Sequence, residues 1–204
     1  MNPFNDTADR YDEWFERNDK IFSSELICIK QCAGDLGDAF EVGVGTGVFA
    51  KALKINKGIE PSIKMSEYAQ KKGIDVENIS IEEYVPNNKY DTVLFCTVDC
   101  FIDNFSIAIG KAKNMLKSDG KIIVAFLDAG SELGKMYEEN KDKDENYKYA
   151  KFHSYADMEN IVEENGMHID NVKQTVFKLE NVYQEPEDGH GKGLFCVIKI
   201  GENK

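Results

Sequence analysis

Proline is scarce in this chain, with 4 in 204 residues, and no hydrophobic run is long. No stretch approaches the roughly 18 uninterrupted apolar residues that a membrane helix needs, so membrane insertion is not expected. Met1 to Arg10 is polar and lacks the apolar centre of a secretory leader, which makes a cytoplasmic location the expectation. Positive charge is also in short supply. Lys and Arg number 25 against 37 Asp and Glu, giving a net charge of −12. Nucleic-acid backbones call for clustered Lys and Arg, whereas Lys71-Lys72 and the lysines from Lys111 to Lys117 sit among acids. No nucleic-acid partner is favoured. The 5 cysteines form no CxxC pair, and an odd count without a leader fits reduced thiols. Cys28 and Cys32 stand one helical turn apart, but nothing nearby supplies a third or fourth ligand, so no metal site is expected.

What is present is an alternation of helices and strands. Thr7 to Cys32 reads as helical, because Tyr11, Trp14, Phe15, Ile21, Phe22, Leu26 and Ile29 recur at helical spacing before Gly34 and Gly37. Ala39 to Val42 is a short strand and Val48 to Ile55 a helix. A second strand ends at Glu60, and Ser62 is placed to cap a helix from Ile63 to Lys72. Asp75 to Ile79 is a short strand. Tyr90 to Val98 and Ile122 to Leu127 are near-continuous apolar runs, the pattern of strands buried on both faces of a parallel sheet. Between them, Phe105 to Leu116 is helical and Lys117 to Gly120 a turn. Strands alternating with helices imply βαβ units. Ser131 to Asn146 is polar and helical; Ser154 is placed to cap Tyr155 to Asn165, which Gly166 stops. Two extended runs, His168 to Leu179 and Leu194 to Ile200, are joined by an acidic loop and read as an antiparallel pair.

The segment Glu41-Val42-Gly43-Val44-Gly45-Thr46-Gly47 follows the first strand and opens a helix. Glycines at alternate positions permit a tight turn and a close ligand approach. Glu41, just ahead of them, suits a ligand with a positive group. Glu60, at the end of the second strand, is placed to accept hydrogen bonds from both hydroxyls of a ribose. These two elements fit a nicotinamide-dependent oxidoreductase or an S-adenosylmethionine enzyme. In the dinucleotide pattern GxGxxG the third glycine falls at Val48, and the match fails there.

Taken together, these motifs resemble the class I S-adenosylmethionine-dependent methyltransferases, in particular the small single-domain group related to quinone-biosynthesis methylases. The resemblance covers roughly residues 8 to 200. Glu41 to Gly47 is similar to the family's first motif. Gly58-Ile59-Glu60-Pro61-Ser62 with Met65 is similar to its second-strand motif. Tyr90 to Phe95 is similar to the fourth-strand motif, and Leu116-Lys117-Ser118-Asp119-Gly120-Lys121 to the LKPGG turn, with Ser118 in place of proline. The resemblance implies a doubly wound α/β fold, with a mostly parallel sheet of about seven strands and a C-terminal antiparallel strand. It implies one domain over residues 1–204: a helical cap (1–33), a cofactor-binding half (34–128) and a substrate-side half (129–204). The cofactor implied is S-adenosylmethionine. Gly43, Val44, Gly45 and Gly47 would lie along its amino-acid part, and Glu41 would favour its ammonium. Glu60 would hold the ribose, Pro61 and Met65 would flank the nucleoside, and Ile81 and Glu82 would reach the adenine. Thr97 and Val98 would lie under the methionine moiety, and Tyr11 would close the site.

The implied activity is methyl transfer to a small-molecule acceptor, which asks mainly for positioning and desolvation, plus a base if the acceptor must lose a proton. Asp99 and Asp128 follow the fourth and fifth strands, at the carboxyl edge where ligands bind in open sheets, and His153 stands just before a helix, in a segment placed to cross the substrate mouth. These three are the catalytic candidates. Two other expectations remain open at this level: the oxidoreductase, and a non-catalytic S-adenosylmethionine-binding regulator. No motif defines an oligomeric state.

Overall fold

A computed structural model describes residues 8–143 and 147–202. Thr7, Asp144 and Asn146, which the sequence reading places in or beside helices, lie outside the described residues. The chain opens with α1 (Ala8–Arg17) and α2 (Asp19–Ala33), where the sequence suggested one continuous helix. The break falls at Asn18, whose backbone leaves the helical region (φ −115°) while its side-chain amide donates to the Trp14 carbonyl at 2.9 Å. The Asn18 N–H bonds the same carbonyl at 2.9 Å and its own carbonyl accepts from Phe22, so the bonding continues through a bend in the backbone that hydrophobic spacing does not register.

Then follow β1 (Ala39–Val42), α3 (Val48–Leu53), β2 (Lys57–Ile59), α4 (Ile63–Lys71), β3 (Asp75–Glu77) and β4 (Tyr90–Cys96). A 3-10 turn (Asp99–Phe101), α5 (Phe105–Lys113), β5 (Leu116–Leu127) and α6 (Glu132–Asn140) come next. The described chain closes with α7 (Tyr155–Glu164), β6 (Met167–Thr175), β7 (Glu187–Asp188) and β8 (Phe195–Glu202). Among the described residues, eight strands join one sheet in the order β3-β2-β1-β4-β5-β8-β6-β7. β1 to β5 pair in parallel. The last strand, β8, inserts antiparallel between β5 and β6. The strand beyond the expected seven is the two-residue β7 at the edge.

The two apolar runs behave as their composition requires. Val93, Leu94 and Phe95 on β4 and Ile122 to Phe126 on β5 are all fully buried. Alternate residues face opposite helical layers. Leu94, Ile123 and Ala125 pack with Ile29 of α2 and Phe49 of α3. Val93, Phe95 and Val124 pack with Phe105 and Ile109 of α5 and Met158 of α7. Burying each large side chain contributes ~1.5–3 kcal/mol. Cys28 and Cys32 belong to the first layer, and the Cys32 thiol lies 3.3 Å from the Val197 carbonyl.

Several expected boundaries move: α6 ends at Asn140 rather than reaching Asn146, and β6 ends at Thr175 rather than Leu179. α5 ends at Lys113, and Leu116 already pairs with Tyr90 in the sheet. The expected turn Lys117 to Gly120 is an excursion within β5: register passes from Tyr90–Leu116 directly to Thr92–Lys121, so these four residues stand against Asp91 alone. The serine caps form as read. The Ser62 and Ser154 hydroxyls accept from the backbone N–H groups of Met65 and Asp157. Asp157 answers Ser154 to complete a capping box.

Candidate cofactor and acceptor site

The chain runs one way from β1 through β2 to β3 and the other way from β4 onward, so the strand order reverses between β1 and β4. Open α/β sheets bind ligands in the crevice at such a switch point, beyond the carboxyl ends of the strands. The residues following β1, β2 and β4 meet there.

Gly43, Gly45 and Gly47 all have left-handed backbone, with φ of 72°, 57° and 81°. Their missing side chains serve different ends. A Cβ at Gly43 would lie 2.3 Å from Val98 Cγ2, and one at Gly47 would lie 2.5 Å from Ile74 Cδ1. Beside Gly45 nothing lies within 4 Å. Of the three, Gly45 alone has open space where a side chain would stand. Val98, placed by the sequence reading beside a ligand, packs on Gly43, and Val44 is buried in the α2–α3 layer.

Glu60 braces this loop. One carboxylate oxygen accepts from the Gly45 N–H at 2.9 Å, and the other from the Ser62 N–H at 2.8 Å. Burial raises its pKa, and these two bonds pull it back. Pro61 is exposed and Met65 buried at the start of α4. Ile81 is buried in the α5 layer and Glu82 is exposed; Lys111 ties both of their carbonyls.

Glu41 is 1% exposed, and one of its carboxylate oxygens has no hydrogen-bond partner. Burial first, and the Glu60 charge second, raise its pKa well above the ordinary range. An unmet buried acceptor costs ~1–3 kcal/mol, so its persistence beside an open glycine marks a place for a donor or a cation. Above it, Tyr11 reaches the Thr97 side chain, and its hydroxyl is raised by burial and by Cys96, Glu25 and Glu41. Thr97 itself has φ 52°, an outlier for a β-branched residue that stores ~1–3 kcal/mol of strain, and its N–H is held by the Ala125 carbonyl at 2.8 Å. α1 is fastened to the glycine loop through Lys72, which bonds Asp12 at 2.6 Å and the Thr46 carbonyl at 2.9 Å.

On the acceptor side, Asp99 and His153 come together. His153 Nδ1 lies 2.8 Å from the carboxylate of Asp99, which is 2% exposed. Burial raises Asp99, and the hydrogen bond and charge of His153 oppose that rise. The imidazole lies against Phe105 and keeps one fifth of its side chain exposed. With Nδ1 engaged, Nε2 is the nitrogen left to exchange a proton. Asp128 is placed differently. It accepts from the N–H groups of Gly130 (2.8 Å), Tyr155 (3.1 Å) and Gly191 (3.1 Å), so one oxygen braces the starts of α6 and α7 and the other the loop before β8.

One buried acid is absent from the sequence-derived site. Glu25 on α2 is 7% exposed and has no hydrogen-bond or ion-pair partner among the described residues. Burial alone pushes it up to about 8. Its sequence signal is an acid inside the apolar stripe Ile21, Cys28, Ile29 and Cys32, where a charge has no reason to be unless it faces a ligand or a partner.

Comparison with known proteins agrees with this geometry. A family model described as a methyltransferase domain matches residues 29–172. An uncharacterized protein of Methanocaldococcus jannaschii is 39% identical over 202 residues, covering 97% of this chain and 98% of its own. Among solved structures, a Thermotoga maritima protein described as a SAM-dependent methyltransferase, possible histamine N-methyltransferase, is 34% identical. It superposes with a TM-score of 0.93 over 98% of both chains. The magnesium protoporphyrin IX methyltransferase of Synechocystis, solved with bound SAM, shares the fold at 16% identity and a TM-score of 0.55, over 98% of this chain and 80% of its own.

Proposed function

Because the chain belongs to the methyltransferase-domain family, we propose that it moves a methyl group from S-adenosylmethionine to a proton-bearing nitrogen or oxygen of a small molecule. The observation that carries this reading is the combination of an open Gly45, a Glu60 that keeps lone pairs free, and an orphaned Glu41 oxygen. Each Glu60 oxygen accepts one backbone N–H and retains capacity for a ribose hydroxyl. Glu41 would supply negative charge once an ammonium or a sulfonium offsets the burial that favours its neutral form. A pyrophosphate would instead meet two buried carboxylates, which argues against the oxidoreductase. Thr97 and Tyr11 would flank the methionine part, Pro61 and Met65 the nucleoside, and Ile81 and Glu82 the adenine.

S-adenosylmethionine, when bound, supplies a methyl carbon whose bond to positively charged sulfur breaks as the acceptor's lone pair arrives, the electron pair staying on sulfur. The chain's own contribution is positioning, exclusion of water by α1 and Tyr11, and removal of the acceptor's proton by His153 Nε2. Asp99 fixes the imidazole and stabilises its protonated form. Asp128 keeps the surrounding loops in place.

Calorimetric titration with S-adenosylhomocysteine tests the cofactor. Micromolar binding is expected, weakened at least tenfold by Glu60→Ala; no binding at millimolar ligand would overturn the reading. His153→Gln should lower kcat by about a hundredfold while leaving that affinity unchanged.

A further inference from the structure

Glu25 and Glu41 are both buried acids without a full set of partners, but they belong to different neighbourhoods. Glu41 is coupled to Glu60 and, through it, to the glycine loop. Glu25 is coupled to Tyr147 instead. Tyr11 and Cys96 stand between them and feel both charges. On the far side of Tyr147 lies a chain of half-buried rings. Tyr147 stacks with Phe101 at 6.2 Å and meets Phe152 at 5.4 Å. Phe101 closes the 3-10 turn that begins at Asp99, and Phe152 precedes His153. From Tyr147, which feels the Glu25 charge, rings thus extend to the segments that carry Asp99 and His153.

The titratable groups that sense the Glu25 charge are the Tyr11 hydroxyl on α1, the Cys96 thiol on β4, the Tyr147 hydroxyl, and the Cys28 thiol one turn along α2. None is a cation. A carboxylate desolvated this far, with neither a donor nor a positive charge in contact, is stable only as the neutral acid or opposite an incoming cation. Rings beside such an acid favour a cation further, through their π faces.

We propose that Glu25 anchors an ammonium group of the methyl acceptor, which makes the substrate class an amine on an aromatic or short apolar frame, methylated at a second nucleophilic atom held by His153. The proposal rests on the methyltransferase reading above and adds the acceptor's chemistry to it. The ammonium stays protonated and charged at Glu25. The atom that receives the methyl is the one whose proton passes to His153. At neutral pH the free enzyme holds Glu25 mostly protonated, because burial places it at about 8. An arriving ammonium stabilises the carboxylate, so binding releases a proton.

The test uses the enzyme saturated with S-adenosylhomocysteine and titrated calorimetrically with tyramine and 2-phenylethylamine against their alcohol counterparts, tyrosol and 2-phenylethanol. Each amine is expected to bind at least tenfold more tightly than its alcohol. Titrations at pH 7 in phosphate and in Tris should show close to one proton released per amine. Glu25→Gln should abolish both the amine preference and the proton release, while the affinity for S-adenosylhomocysteine stays within twofold of wild type. Equal affinity for amine and alcohol, or no amine binding at millimolar concentration, overturns the proposal and leaves the methyltransferase reading intact. A loss of S-adenosylhomocysteine affinity in Glu25→Gln as large as the loss of amine affinity also overturns it, since Glu25 would then serve the cofactor. Failure of wild type to bind S-adenosylhomocysteine removes both readings. The proton count on wild type, repeated with the permanently charged trimethylammonium analogue of tyramine, which has no ammonium proton to release, needs no variant and decides the matter even if Glu25→Gln folds poorly.

Discussion

Gly43 and Gly45 are near neighbours with the same left-handed backbone, yet alanine should fail at each for a different reason. At Gly43 the new methyl meets Val98 at 2.3 Å, so the damage falls on stability. At Gly45 the methyl enters open space, and folding bears only the ~1–2 kcal/mol cost of a left-handed alanine. Gly45→Ala should therefore lower S-adenosylhomocysteine affinity at least tenfold with a small change in Tm, and Gly43→Ala should lower Tm sharply. Paired melting and calorimetry distinguish the two, and a reversed ranking would mean that the ligand lies along Gly43. The alternation of glycines was legible in the sequence. Which glycine faces the ligand was not, because Val98 and Ile74 arrive from elsewhere in the fold. Glu25 also carries a pH dependence. Its ordinary value is 4.5 and burial holds it at about 8, so between these the folded protein keeps a proton that the unfolded chain has lost. Stability present below pH 4.5 thus falls as pH rises towards 8, by on the order of 4 kcal/mol from this one group. In urea denaturation of the ligand-free protein, Glu25→Gln should match wild type near pH 4 and exceed it near pH 8.5. A wild-type advantage at the higher pH would contradict the absence of a partner for Glu25.

The elements that announced themselves most clearly are the ones whose environment is uniform. β4 and β5 are buried on both faces, and an unbroken apolar run has few other uses. Helix starts were legible wherever a serine could reach a free N–H, as at Ser62 and Ser154. Interruptions were harder, because each depends on one residue's backbone or on a register. The first helix breaks where Asn18 takes φ −115°, and the Lys117–Gly120 excursion is defined only against Asp91 on the neighbouring strand. The capping box at α7 deserves a functional test, since its first residue directly follows His153. Ser154→Ala should cost about 1 kcal/mol. It should also lower kcat, because the segment that holds the imidazole against Asp99 loses its terminal restraint. Denaturation and steady-state rates check the pair, and an unchanged kcat would show that Asp99 alone orients the ring.

For the whole molecule, the resemblance implied the sheet's general plan, and the sequence by itself showed only alternation. The insertion of β8 between β5 and β6 brings the end of the described chain against its centre, a pairing that no local pattern encodes. The site was legible in proportion to how close its parts lie in sequence. The glycine loop and Glu60 could be read from one segment. The Asp99–His153 pair spans two distant loops, and its members were named separately before the fold joined them. Glu25 needed the fold outright, because only packing shows that no partner meets it.

The fastening of α1 sets a clock for turnover. In the proposed site, spent cofactor would leave past a helix whose Asp12 is bound to Lys72, while Lys72 also holds the glycine loop at Thr46. The ion pair is about a quarter exposed on each side, so dissolved salt competes with it. Departure of S-adenosylhomocysteine, followed by stopped-flow displacement, should quicken about threefold to tenfold between dilute buffer and 1 M sodium chloride. In Lys72→Met it should be fast throughout and indifferent to salt. A residence time that ignores both changes would place the exit away from α1.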